Sequence, residues 1–239
     1  MKKIIFILIL IISLTFFWRK IEEQVNTWDN IEIPEIVLEK DIEETTLEEI
    51  IKDNALFNNY EYYLEDLNKD GFLEVLIISL SPEKSTAEFL LLSLTDKKGS
   101  FDKKGSLVLE KEFLGTPFVI KTQDIKKNNV QEIVVDLNTG GVATQTHGIL
   151  EWQDGLKLVI IEKQGEKKEA VFLIGSSALH HQFYYLKDRE IIEIIAWQEQ
   201  ELICEINVYE LKNNIFIFNK EKSDELLKKA GDDCLLEND

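Results

Sequence analysis

The chain has 239 residues, of which 44% are hydrophobic, and its 27 basic and 45 acidic side chains give a formal net charge of −18. This apolar content is sufficient for a sizeable core and excludes a chain that is disordered throughout. The charge argues against nucleic-acid binding, because an acidic surface repels phosphate and the sequence offers no basic stripe to offset it.

Residues 1–20 are predicted to be a signal peptide or a membrane anchor. An apolar run over residues 4–18 follows two lysines and is closed by Arg19 and Lys20. As a helix the run would be about 22 Å long, short of a hydrocarbon core of roughly 30 Å, and this favours a signal peptide. Its bulky end, FFW, does not fit the small-residue cleavage pattern and favours an uncleaved anchor. Either alternative would leave the folded part outside the cytoplasm.

Two segments separate this run from the predicted domain. Residues 21–44 are acidic, contain Pro34 and show no sustained period, which is typical of a linker. Residues 45–58 predict a short helix, since Thr45 or Thr46 can cap it and acidic side chains occupy its first turn.

Residues 59–222 are rich in short runs of branched and aromatic side chains, which predicts a mostly-β domain. The predicted strands are YEYYLEDL, EVLIISLS, AEFLLLSL, GSLVLEKEF, FVIKTQDI, QEIVVDLN, THGILEW, LKLVIIE, EAVFLIG, FYYLKD, EIIEIIAW, ELICEINVYE and NIFIFNK. A second capped helix, SDELLKKAG, begins the C-terminal segment 223–239.

An internal repeat shapes the fold prediction. The spacing from Asp66 to Asp124 is identical to that from Glu74 to Glu132, and a fainter third copy places Glu193 at a similar spacing after Glu132. Each unit would hold about four strands in about 60 residues, the size of a propeller blade. The prediction is therefore an all-β fold of about three four-stranded, propeller-blade-like repeats, a partial or atypical β-propeller with short flanking helices.

The stretch DLNKDGFLEVLI in the first unit has the spacing of a cation-binding loop. Asp66, Asn68 and Asp70 can direct three side-chain oxygens inward, and Gly71 permits the sharp bend that follows. An EF-hand is excluded, because Ile77 stands where that motif needs an acid and the chain continues as a strand.

These residues resemble the calcium loop of the FG-GAP or VCBS-type repeat, which occurs in the β-propellers of integrin α-subunits and of many secreted bacterial proteins. The resemblance implies that Asp66, Asn68, Asp70 and Glu74 coordinate Ca²⁺ through side chains and Phe72 through its carbonyl. The alternative is an ordinary Asn-Asp-Gly-type turn on an acidic surface, without an ion.

The second unit keeps only part of the pattern. Asp124, Asn128 and Glu132 match the first loop, while Lys126 and Lys127 intrude. A lysine ammonium near such a loop can supply positive charge itself, so we expect this loop to hold no ion or to hold one weakly.

Two cysteines and three histidines leave few options for other chemistry. Cys204 and Cys234 could pair in an exported protein, or they could be a buried strand residue and an unrelated tail thiol. His147, His180 and His181 are expected in polar loops, and GSS at 175–177 lacks the flanking pattern of a nucleophile elbow.

These patterns favour a non-catalytic, extracytoplasmic binding or scaffold protein, membrane-tethered or secreted, with one structural Ca²⁺. Its partner would be a protein or glycan ligand, and two chains could complete each other as a homo-oligomer. One alternative is a surface hydrolase or accessory subunit that acts on polysaccharide or peptide. Another is a structural envelope protein that assembles through exposed strand edges.

Overall fold

The computed structural model describes residues 44–95, 100–139, 144–176, 180–198, 202–230 and 234, and most of them are in β-strands. The mostly-β prediction is therefore confirmed. The predicted signal or anchor and nearly all of the acidic linker lie outside the described residues. Neither helix in the described part is long and apolar enough to cross a membrane.

Two helices flank the strands: α1 (Glu44–Asn54) and α2 (Lys220–Ala230). The strands, in chain order, are β1 (Asn59–Glu65), β2 (Glu74–Leu80), β3 (Thr86–Leu94), β4 (Phe101–Glu110), β5 (Phe118–Gln123), β6 (Glu132–Asp136), β7 (Thr144–Glu151), β8 (Lys157–Leu158), β9 (Ile160–Lys163), β10 (Glu166–Glu169), β11 (Val171–Ser176), β12 (His180–Lys187), β13 (Glu190–Gln198), β14 (Leu202–Lys212) and β15 (Ile215–Phe218).

The first four strands form an antiparallel sheet in the order β1-β2-β3-β4. All seven residues of β2 are buried, because both faces of the strand are covered. Val75 and Ile77 pack with Ile51 of α1, whereas Leu76 and Ile78 belong to a cluster shared with β6 and β7. Burial on both faces explains why β2 is a continuous apolar run rather than an alternating one.

The remaining strands form one eleven-stranded sheet with the path β10-β9-β15-β14-β13-β12-β11-β7-β6-β5, to which β8 is joined through β7. All of its ladders are antiparallel except that between β15 and β9. The first predicted unit thus coincides with a separate four-stranded sheet. The strands of the second and third predicted units share a single sheet.

Helix α2 covers one face of β13 and β14, and it begins earlier than predicted. Asn219 caps it, since its Oδ1 accepts the Lys222 N–H at 3.1 Å. Ser223, the predicted start, lies inside the helix, where its Oγ donates to the Asn219 carbonyl at 2.7 Å and accepts the Val208 N–H at 3.0 Å. The hydroxyl therefore attaches the helix to β14.

Cys204 and Cys234 form a disulfide, with their Cα atoms 5.6 Å apart. Cys204 lies opposite Ala196 in the β13–β14 ladder, and Cys234 is buried beside Ala230 of α2. Of the two alternatives for these cysteines, the structure has the pair. The bond holds Cys234 against β14.

Candidate functional site

The predicted metal loop connects β1 to β2, and its aspartates organise the backbone. Asp66 accepts the N–H of Asp70 at 3.1 Å and that of Gly71 at 2.9 Å, one on each carboxylate oxygen. Asp70 in turn accepts the Phe72 N–H at 2.8 Å. The backbone of the loop is left-handed at Lys69 (φ 59°) and at Gly71 (φ 90°). Glycine adopts such a conformation at little cost.

The loop brings together side-chain oxygens that could act as metal ligands. Asn68 accepts the Asp70 N–H at 2.9 Å through Oδ1, and its Nδ2 donates to Asp70 Oδ2 at 2.7 Å. A carboxylate oxygen that accepts one N–H keeps a second lone pair. Asp66, Asn68 and Asp70 therefore present a set of carboxylate and amide oxygens in one short stretch of chain, and hard oxygens of this kind suit Ca²⁺.

Glu74 is the buried member of the predicted set, only 1% exposed at the start of β2. Its Oε2 accepts the Leu67 N–H at 2.7 Å, and its Oε1 accepts the Ser93 hydroxyl at 2.9 Å. Burial raises the pKa of Glu74, and the charges of Asp70 and Asp66 raise it further, although these two hydrogen bonds oppose the shift. Among the described residues, no lysine or arginine forms an ion pair with this carboxylate.

The predicted ligands thus lie in one loop, at different depths. Asp66 and Asn68 are half-buried, Asp70 is exposed, and Phe72 is 41% exposed. Within the described ranges, no group of three or more His, Cys, Asp or Glu side chains is placed to hold a metal ion. The set that the loop offers also includes an amide and the Phe72 carbonyl, so its role as a Ca²⁺ site stays a prediction.

The loop between β5 and β6 makes the same hydrogen bonds one repeat further along the chain. Asp124 accepts the N–H of Asn128 and that of Asn129, each at 3.0 Å, and Glu132 accepts the Ile125 N–H at 2.8 Å. Lys127 and Asn129 have φ values of 57° and 64°, at the positions of Lys69 and Gly71. The two loops therefore share one local structure.

Lys126 is the main difference between the loops, since it stands where the first loop has Asn68. Its side chain is buried, and its ammonium contacts the Glu151 carboxylate and lies 2.9 Å from Asn214 Oδ1. Burial raises the pKa of Glu132, but the Ile125 N–H and the charge of Lys126 lower it. The second loop therefore has an internal cation beside its buried glutamate.

Glu193 does not lie at a strand start. It is the fourth residue of β13, where it is buried and accepts the Asn207 amide at 3.1 Å and the Tyr209 hydroxyl at 3.3 Å. Glu190 is the first residue of β13, as Glu74 is of β2 and Glu132 is of β6. The third copy was assigned to Glu193, whereas the position in the fold and the exact spacing of the first two units both give Glu190.

Sequence reasoning also misplaced the histidines. His147 lies in β7 rather than in a loop, is 9% exposed, and places Nδ1 3.1 Å from the Tyr184 hydroxyl. Its Nε2 has no hydrogen-bond partner among the residues described. Burial lowers the pKa of His147, partly opposed by the charge of Asp136. His180 and His181 begin β12.

Comparison with known proteins gives no family for this fold and loop. No family model matches the chain, and neither a curated protein nor a solved structure does.

Proposed function

We propose that this chain is a non-catalytic, extracytoplasmic binding or scaffold protein in which loop 66–74 holds one Ca²⁺ as a structural cofactor. The observation that carries the proposal is the position of Glu74, a buried acid near two aspartates. This carboxylate is buried beside Asp66 and Asp70, which raise its pKa, and no described cation pairs with it. A divalent ion bound among these oxygens removes the repulsion, because it favours the ionised form of all three acids.

A structural role suits the position of the loop. The residues around the proposed ion connect two adjacent strands of one sheet, and Leu67, whose N–H bonds Glu74, is part of the core. An ion that binds only the folded chain stabilises it by mass action. The ion would therefore fix the path of the chain between β1 and β2.

Two features support a location outside the cytoplasm. The disulfide between Cys204 and Cys234 would persist in an oxidising compartment. The apolar run over residues 4–18 has the composition of an export signal or an anchor. Extracellular modules hold Ca²⁺ with dissociation constants of about 0.1–1 mM, and we expect an affinity in that range here.

The proposal includes a fold of about three repeat units of the FG-GAP or VCBS type in a partial, atypical propeller-like arrangement. The shared loop structure supports it, and so does the four-stranded meander of the first unit. The partner would be a protein or glycan ligand, and a homo-oligomer could complete the arrangement.

A thermal unfolding experiment tests the ion directly. The full-length protein, purified in a mild detergent and freed of metal with EDTA, should melt at a higher temperature when Ca²⁺ is added. The gain should disappear in Asp70→Ala, which removes the loop carboxylate, and persist in Asp53→Ala, which changes an exposed aspartate of α1. An unchanged melting temperature, or an equal gain in Asp70→Ala, would refute the Ca²⁺ site.

A further inference from the structure

We propose that the glutamate at the start of each of β2, β6 and β13 is neutralised by a cation of its own, and that two of the three cations are lysines of this chain. Lys126 serves Glu132 through its neighbour Glu151, which the ammonium contacts, and Lys222 contacts Glu190 itself, whereas Glu74 takes an external divalent ion. The statement about Glu74 rests on the proposed function, and the two lysine assignments stand without it. One consequence is that each chain binds a single divalent ion.

Backbone hydrogen bonds between the units show that Glu132 and Glu190 are equivalent, as the shared loop structure shows for Glu74 and Glu132. The Gln131 N–H donates to the Leu67 carbonyl at 2.8 Å, and the Arg189 N–H donates to the Ile125 carbonyl at 2.7 Å. From the first bond to the second, the residue numbers of the donor and of the acceptor increase by the same amount. That amount is also the spacing between the two loops. Each donor immediately precedes a strand-start glutamate, Glu132 in one case and Glu190 in the other.

The residue opposite each glutamate on the neighbouring strand differs between the position without a lysine and the two positions with one. Ser93 pairs with Glu74, and Glu210 pairs with Glu190. Glu151 ends β7 one position beyond the Ile133–Leu150 pair, which places it beside Glu132 at the start of β6. A neutral residue therefore faces the glutamate that has no lysine, and a second acid faces each glutamate that has one.

Lys126 is positioned as the internal cation of the second loop. The lysine and Glu151 are both largely buried, and the ammonium also lies 2.9 Å from Asn214 Oδ1. A second lysine, Lys157, lies 3.2 Å from the other Glu151 oxygen. An unpaired charge at this depth is strongly unfavourable, so lysine and glutamate depend on each other.

Lys222 plays the corresponding part at the third position, although it comes from α2 rather than from a loop. Its ammonium contacts the Glu190 carboxylate and lies 2.5 Å from Glu210 Oε1. The hydrogen bonds to these two carboxylates raise the pKa of Lys222 well above its ordinary value. The turn of Asp188 and Arg189 replaces the long loop here, and the cation that contacts Glu190 comes from α2.

Two of the residues that differ between the second loop and the first change the charge beside the strand-start glutamate: Lys126 in place of Asn68 and Glu151 in place of Ser93. Together they fill the position next to the buried glutamate with an ammonium group. We assign to this pair the exclusion of a divalent ion from the second loop.

A mutant cycle in EDTA tests the internal cation without any Ca²⁺. Lys126→Met and Glu151→Gln should each lower the melting temperature, and the double variant should lose much less than the sum of the two. The exposed pair Lys127–Asp188, tested as Lys127→Met and Asp188→Asn, should give small and additive changes. Additive losses at Lys126 and Glu151 would overturn the assignment. If Lys126→Met does not fold, the same cycle at Lys222 and Glu190, where the lysine is partly exposed, decides.

A second measurement counts the ions. Equilibrium dialysis with radioactive Ca²⁺ should give one ion per full-length chain for the wild type and two for Lys126→Asn/Glu151→Ser, which carries the residues of the first loop at these two positions. Adding Asp70→Ala to that variant should return the count to one. A count that stays at one in Lys126→Asn/Glu151→Ser would overturn the exclusion role of the pair. If the cycle shows coupling but the wild type binds no Ca²⁺, the proposed function fails while the lysine assignments hold.

Discussion

Glu74 and Glu132 show how the same buried side chain acquires different chemistry from its neighbours. Both begin a strand, both are at most 2% exposed, and burial raises the pKa of both. The charges around Glu74 are those of Asp66 and Asp70, which raise its pKa further. The charge of Lys126 instead lowers the pKa of Glu132. A bound cation should therefore stabilise the ionised form of Glu74 more than that of Glu132.

Replacing Glu74 by glutamine separates the structural part of its role from the electrostatic part. Glutamine can accept the Leu67 N–H and donate to the Ser93 hydroxyl, so the hydrogen bonds are kept. Without Ca²⁺ at pH 7, Glu74→Gln should be as stable as the wild type or more stable, within about 1 kcal/mol. With Ca²⁺ it should be less stable than the wild type in thermal unfolding, because the acid is lost.

The raised pKa of Glu74 also predicts how the stability of the metal-free wild type changes with pH. The folded-state pKa of Glu74 is raised, so the folded chain takes up this proton before the unfolded chain does. Metal-free wild type should therefore gain stability as the pH falls through that pKa towards 4.5, and Glu74→Gln should lack this increment. Urea unfolding between pH 7 and pH 5 measures it, with Glu83→Gln, an exposed site, as the control. Identical pH profiles for wild type and Glu74→Gln would contradict the assignment.

At the level of elements, the strands were predictable where burial leaves a pattern. The continuous apolar run of β2 and the acidic loop before it were visible in the sequence. Strand β10 was not predicted, because its four residues, EKKE, are all exposed and carry no apolar signal. The start of α2 was misjudged because Asn219 and Ser223 are both good capping residues, and only the contact with Val208 shows which of them caps.

Ser223 therefore provides a test of how α2 is held on the sheet. In Ser223→Ala the Val208 N–H, buried under the helix, loses its acceptor, and the expected loss is about 1–3 kcal/mol of unfolding free energy. Asp224→Ala, at the next and exposed position, should change stability by no more than about 0.5 kcal/mol. Urea unfolding of both variants measures the difference. Equal losses would mean that the hydroxyl does not attach the helix.

At the level of the whole molecule, the arrangement of strands into sheets was beyond the sequence pattern. Strands of the second and third predicted units pair with each other, and β15 returns to pair with β9, which lies far earlier in the chain. Such pairings depend on contacts distant in sequence, which leave no local period. The position of Lys126 was hidden for the same reason, since its partners Glu151 and Asn214 lie on other strands or turns.

The disulfide links Cys204 of β14 to Cys234, which lies beyond the end of α2. Its effect on the stability of the whole fold can be measured. Cys204 and Cys234 are the only cysteines, and their bond closes a loop with a sequence separation of 30 that contains β15 and α2. In the chain-entropy model such a loop stabilises the fold by about 3–4 kcal/mol. Cys204→Ala/Cys234→Ala should lose about that amount in urea unfolding, and a reducing agent should lower wild-type stability equally while leaving the variant unchanged.

The unreduced wild type should bind no maleimide after denaturation, whereas labelling of both cysteines in protein taken from its native compartment would show that the bond does not form there.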